Sequence, residues 1–325
     1  MNNQISVIMY HFVRELPYTR YPALKGLLVS QFKQQLDYMS KYYQFMTIDD
    51  CLDCIYSEQS LPRNAAILTF DDAYIDHYTT VFPILDERKI QGVFFPPAKA
   101  ILDNKVLDVN KIHFLLASLD IKVLLIEIFA LLDIYRAQFN LASDEYYFNK
   151  LANKSRFDTK EVIFVKRLLQ KELNEEVRSL ILNDLFAKFI SSDEAAFSRE
   201  LYMNIDQLRC MARNGMCIGS HGYDHYWLDT LSPKEQEREI NQSLKFLKKI
   251  GVTLNNWVMC YPYGAYNDSL IKILKKKGCG MAFTANVGIA NLEKSNAYTL
   301  ERFDTNDFPK RSDDKPTVWT QKVLE

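Results

Sequence analysis

The stretch Ala65–Tyr74, AAILTFDDAY, is an apolar run that stops abruptly on two adjacent carboxylates, Asp71 and Asp72. A short apolar run containing Thr and Phe and bounded by charge reads as a buried strand. Five more runs read the same way: ISVIMY at 5–10, GVFF at 92–95, MCIG at 216–219, WVMCY at 257–261 and MAFT at 281–284. Helices fill the gaps. In SPKEQEREINQSLKFLKKIG, Ser232 is the N-cap, Pro233 the first helical residue, Glu235 the capping-box partner and Gly251 the stop. In IDQLRCMARNG, Leu208, Met211 and Ala212 share one face and Gly215 closes the helix. Strand and helix alternating in this way predict an α/β protein built on a parallel sheet or barrel.

Residues 98–204 break the rhythm, because segments such as 159–190 show helical periodicity and few strand signals. The predicted organisation is therefore one domain made of 1–97 and 205–308, a helical insertion at 98–204, and a C-terminal tail at 309–325 of exposed, poorly ordered chain. The stretch KVLLIEIFALLDIY at 122–135 carries Glu127 and Asp133 and is too short to span a bilayer, so it is expected as a buried helix.

The formal net charge is -1 and no block of Lys or Arg occurs, which argues against nucleic acid as a partner. The opening MNNQISVIMYHF lacks the cationic and long apolar regions of a signal peptide, and a cytoplasmic location is the expectation. The six cysteines are scattered, with Cys51 and Cys54 inside one amphipathic turn, and predict neither a disulfide framework nor a zinc knuckle.

Three motifs carry chemistry. Asp71 and Asp72 end a strand, where successive side chains diverge and two carboxylates can serve two tasks. His221 and His225, in IGSHGYDH, stand four residues apart at another strand end, within reach of one ion. Two imidazoles and a carboxylate make a three-ligand site with an open position for water. The third, CYPYGAYN at 260–267, bends the chain at Pro262 and Gly264 and can turn backbone N–H groups toward a ligand. His77 is expected to face outward from the helix after the first motif, and His113 to belong to the insertion. Neither has a partner at ligand spacing.

TFDD, HxxxH and PYG, in that order at strand ends, resemble the polysaccharide deacetylases, the NodB-homology family of carbohydrate esterases. The flanking text VIMYHFV, VFPILDERKIQGVFFPP and DQLRCMARNGMCIGSHGYDH agrees, so the resemblance covers roughly 5–97 and 205–304. It implies a distorted (β/α) barrel of about seven strands with the site at their carboxyl ends. It also implies a single divalent metal, zinc or else cobalt or nickel, held by Asp72, His221 and His225. Asp71 would be the general base and the Tyr263 backbone N–H an oxyanion donor. Tyr74, Tyr223, Tyr261, Tyr266 and Arg302 are expected to contact substrate.

The sequence departs from the commoner family pattern in two places. No histidine follows His225 to serve as the late general acid, and Cys260 stands where many members have an arginine that orients the base. A permuted branch of the family places the acid in an N-terminal YH motif, which Tyr10 and His11 match, so His11 is the expected acid. The implied activity is removal of an N-acetyl group from an amino sugar, an intermediate of surface-polysaccharide assembly. The competing reading is a carbohydrate-binding protein that kept the fold without turnover. Oligomeric state is not legible.

Overall fold

The computed structural model describes residues 2–57, 59–153 and 158–325. Two compact units emerge. The first is made of residues up to Arg14, Gly26–Asp103 and Arg199–Glu325, and the second of Glu15–Lys25 with Asn104–Ser198.

In the first unit, β1 (Gln4–Tyr10), β2 (Gln44–Phe45), β3 (Ala65–Asp71), β4 (Gly92–Phe95), β5 (Cys217–Ile218), β6 (Trp257–Cys260), β7 (Cys279–Phe283), β8 (Ala290–Asn291) and β9 (Phe303–Asp304) supply the sheet. The parallel pairings run β5–β4–β3–β1, with β2 on β3 and β9 on β1, and only β8 joins β1 antiparallel. β6 and β7 pair separately in parallel. Isolated bridges link the two sets: Ser220 pairs with Met259, and Phe283 with Leu300 just ahead of β9. Among the described residues the two sets are thus joined by single bridges and not by continuous ladders. This is the expected mixed α/β class with a parallel sheet, and every residue of β3 is buried because both of its faces are covered.

Register decides where the motifs meet. Tyr10 pairs with Phe70, Asp71 with Phe95 and Cys260 with Phe283, all in parallel ladders. The residues that follow these pairs, His11, Asp72 and the Tyr261–Tyr263 turn, therefore leave the sheet on one rim, as side-by-side parallel strands require. Helix Pro233–Ile250 carries the predicted cap, with Ser232 accepting from Glu235 N and Gly251 left-handed at φ 91°.

The tail differs from expectation. Val318–Leu324 is a helix, N-capped by the Thr317 side chain, with Thr320 and Val323 buried. Thr320 Oγ1 accepts from the Tyr43 hydroxyl at 3.0 Å and lies 2.9 Å from the Tyr38 hydroxyl. The Trp319 ring meets Phe303 with centroids 4.8 Å apart. Seven residues are too few to show a period, so only the partners across the fold reveal this helix.

Among its described residues the second unit's regular structure is helical, and it has its own core, including Ile112, Leu115, Leu124, Ile128, Phe164, Leu168, Ile181 and Leu185. Its members Glu15–Lys25 fall within the 1–97 segment expected for the first domain, and group here with the helices instead. Tyr21 explains their place, its ring meeting Phe114 at 4.8 Å and Phe197 at 6.0 Å. Helix Ile121–Phe139 is amphipathic rather than wholly buried: Leu124, Ile128 and Leu132 face inward while Ile126 and Ile134 are 68% and 69% exposed. No helix among the described residues is long and apolar enough to cross a membrane.

Candidate active site

β3 delivers Asp71 in extended backbone and then turns sharply, with φ 72° at Asp72 and 55° at Ala73. His225 (φ 59°) and Tyr263 (φ 58°) share this left-handed backbone. Such strain costs L-residues on the order of 1–3 kcal/mol each and persists only where the surroundings enforce it. Four such residues in three separate motifs mark the rim as a built site.

Asp72 is 4% exposed. Its Oδ2 accepts from the Tyr74 hydroxyl at 2.7 Å, which leaves Oδ1 toward the histidines. Oδ1 lies 3.5 Å from His221 Nε2 and 3.3 Å from His225 Nε2, and has no hydrogen-bond partner despite its burial. Four-coordinate zinc with bonds of 2.0–2.2 Å sets its ligand atoms about 3.4 Å apart, so the spacing fits a metal. His221 Nδ1 donates to the Cys260 carbonyl at 2.8 Å, which fixes the tautomer and turns the Nε2 lone pair to Asp72. Burial, aided by the neighbouring His225, holds His221 down to about 4, so the ring is neutral and able to ligate. An overlapping group, Asp71, His221 and Cys260, fits less well: burial pushes the Cys260 thiol well up, and Asp71 is engaged elsewhere.

That engagement is with Arg302. Its Nη1 and Nη2 each donate to one Asp71 oxygen at 2.9 Å, Nε donates to the Thr284 carbonyl at 2.8 Å, and Nη1 also reaches Thr69 Oγ1 at 3.2 Å. Burial works to raise Asp71, but Arg302, His221 and His11 outweigh it and leave Asp71 at about 2. The Cys260 thiol adds a 3.5 Å contact to Asp71 Oδ2. Arg302, expected to contact substrate, is instead 2% exposed and committed to Asp71. The cation that Cys260 fails to supply comes from beside β9.

His11 leaves β1 exposed on the same rim, near enough for its charge to lower both Asp71 and Asp72. His77 corrects the sequence reading. It is wholly buried, and its Nε2 meets the His11 carbonyl at 2.8 Å. It stands at the head of the π-wound turn His77–Val81, directly after Asp76, and packs against Phe70 and Phe94. Asp76 accepts from Val13 N at 3.0 Å and pairs with Arg14, so two adjacent residues hold the segment after His11.

The aromatic expectations divide. Tyr74 and Tyr261 are 1% and 0% exposed, the former bonded to Asp72 and the latter donating to the Tyr298 carbonyl at 3.0 Å; neither lines an open surface. Tyr223 and Tyr266 are half-buried, Tyr223 reaching Asp103 at 3.4 Å and Tyr266 stacking on Tyr261. Tyr263 lies flat on Trp227, with centroids 4.5 Å apart and planes 4° from parallel, and meets His225 edge-on at 4.8 Å. Gly264 allows this turn: at φ 69°, a Cβ there would stand 2.8 Å from Ala285 N.

Residues 191–282 match the family model for polysaccharide deacetylase. YxkH of Bacillus subtilis (strain 168), assigned as a polysaccharide deacetylase, is 31% identical over 101 residues, which are 31% of this chain and only 36% of that relative's length. Among solved structures, the deacetylase PplD of Streptococcus pyogenes superposes with a TM-score of 0.58 at 16% identity, covering 100% of this chain and 98% of that one. IcaB of Ammonifex degensii gives 0.55 at 20% identity, covering 99% and 97%. A de-N-acetylase of Aggregatibacter actinomycetemcomitans gives 0.52 at 14%, covering 99% and 100%. These structural likenesses speak to the fold. The sequence matches are to part of the chain, residues 191–282 for the family model, and they fall in the family that its motifs resemble.

Proposed function

We propose that this chain hydrolyses the N-acetyl group of an acetylated amino sugar within a glycan, and that it depends on a divalent metal. The observation that carries the reading is Asp72 Oδ1, buried without a partner and facing two imidazole nitrogens at 3.3 and 3.5 Å. Asp72, His221 and His225 would hold the ion, most suitably zinc. When bound, it supplies Lewis acidity toward the acetamide carbonyl and an attacking water.

The chain's own residues do the rest. Asp71, kept ionised and aimed by Arg302, accepts the proton of the attacking water as its oxygen bonds to the carbonyl carbon. The Tyr263 N–H, in its left-handed turn, is the donor for the developing oxyanion. His11 gives a proton to the departing nitrogen as the C–N bond breaks, leaving acetate and a free amine. His77 and Asp76 hold the backbone that presents His11. Tyr263, backed by Trp227, and half-buried Tyr223 offer faces to a sugar ring. A role in surface-polysaccharide assembly is part of the same proposal.

Two departures from the common family pattern motivated a non-catalytic reading. Arg302 supplies a cation to Asp71, and the exposed His11 leaves β1 near Asp71 and Asp72, which supports the catalytic reading over the other. The test is acetate release from N-acetylglucosamine oligomers by chelator-treated protein, with and without added zinc, cobalt or nickel. Metal-restored release supports the proposal; failure with every metal across acetylated glycans overturns it.

A further inference from the structure

Between the two histidines the chain passes through Gly222, Tyr223 and Asp224, whose backbone groups are tied down on both sides. The carbonyls of Gly222 and Tyr223 accept from Ala98 N at 3.3 Å and Lys99 N at 3.0 Å. The N–H groups of Tyr223 and Asp224 both donate to one atom, Glu239 Oε2, at 3.1 and 2.9 Å. Glu239 is 0% exposed, on the inward face of helix Pro233–Ile250.

Burying a carboxyl is costly, and an amphipathic helix ordinarily fills that position with an apolar side chain. Here three buried polar residues, Gln236, Glu239 and Ser243, make a stripe at spacings of three and four, which keeps them on one face. Each grips the segment that carries the histidines. Ser220 Oγ donates to Ser243 Oγ at 2.9 Å, Gln236 Nε2 donates to the Leu228 carbonyl at 2.8 Å, and Glu239 takes the centre. Gly222 (φ 76°) and His225 (φ 59°) lie in left-handed backbone that needs outside support. Without an acceptor at Glu239, the N–H groups of Tyr223 and Asp224 would lose the partner they share between the two left-handed turns.

We propose that Glu239 is a positioning residue that fixes the His221–His225 loop, and that its two hydrogen bonds set the affinity of the site for a divalent metal. This deepens the metal-site reading above and rests on it. Glu239 touches neither ion nor substrate; it acts through the spacing of the two ligands.

The test is calorimetric titration of metal-free protein with Zn²⁺, together with the visible absorption of the Co²⁺ form, in wild type, Glu239→Ala, Glu239→Gln and Glu239→Asp. The Ala variant should bind Zn²⁺ about 10–100-fold more weakly, the usual cost of losing a group that orients a ligand, and show an altered Co²⁺ spectrum. Gln keeps an oxygen that can accept both N–H groups, so its affinity should stay within a few-fold of wild type with the native spectrum. If the Ala variant does not fold, Asp carries the test: its acceptor is drawn back by one methylene, and it should weaken binding where Gln does not. Native affinity and spectrum in Ala or Asp, or a Gln variant as weak as Ala, overturns the proposal while leaving the metal site standing. A folded wild type that binds neither ion overturns the metal-site reading, and this proposal with it.

Discussion

Arg302 and Asp71 meet in a two-pronged ion pair, Nη1 to Oδ1 and Nη2 to Oδ2, both at 2.9 Å and both side chains almost fully buried. Removing one partner of such a pair strands the other charge. Arg302→Ala should cost about 3–5 kcal/mol of stability and abolish turnover, read by urea denaturation and acetate release. Arg302→Lys keeps the charge without the planar fork and should recover part of the stability with little of the activity. Native turnover in the Ala variant would remove Arg302 from the site.

Asp71→Asn should lower kcat by about 10²–10⁴-fold, the usual worth of a general base. Its affinity for Zn²⁺ should hold, because the ligand assignment uses Asp72. Calorimetry and acetate release on one preparation check both, and unchanged turnover sinks the assignment of the base.

His11 is exposed, so its replacement leaves the core alone. His11→Ala should fold and bind metal as wild type does while losing kcat far more than KM, as expected for a proton donor that acts only as the C–N bond breaks. Full activity in this variant would exclude it as the acid.

Burial, with the nearby Asp224 carboxylate, pushes Glu239 up to about 7 against the N–H groups donated to it. Asp224 is itself paired with Lys99. Because the folded value lies above the ordinary 4.5, the proton favours the fold. That contribution is complete below pH 4.5 and is lost as pH rises through 7. It is on the order of 3 kcal/mol at most, at 1.36 kcal/mol per unit. Urea midpoints of metal-free wild type should therefore fall between pH 5 and pH 8 more steeply than those of Glu239→Gln. Parallel curves would count against a raised Glu239.

Thr320→Val should cost about 1–3 kcal/mol, since the Tyr38 and Tyr43 hydroxyls lose a buried partner. Thermal denaturation reads it, and an unchanged melting temperature would show the C-terminal helix to be loosely held.

The sequence determined a good deal by itself. Strand runs ending in TFDD and SHGYDH, and a helix bounded by Ser232 and Gly251, are local patterns of period and cap, and each stands in the fold where those patterns put it. The isolated bridges that join the two sets of strands are too short to leave a pattern. Tertiary structure alone decided the partners. Arg302 lies 231 residues from Asp71, and no local signal separates a buried ion pair from a surface arginine. His77 points inward to meet the His11 carbonyl, 66 residues away, and Glu239 looks like any other charge in KEQEREINQ until the histidine loop lies across it. Spacing along the chain fixes periodicity and caps, because those are set by neighbours a few residues away. What a buried charge pairs with is set by strand register and helix rotation, which come from packing the whole chain.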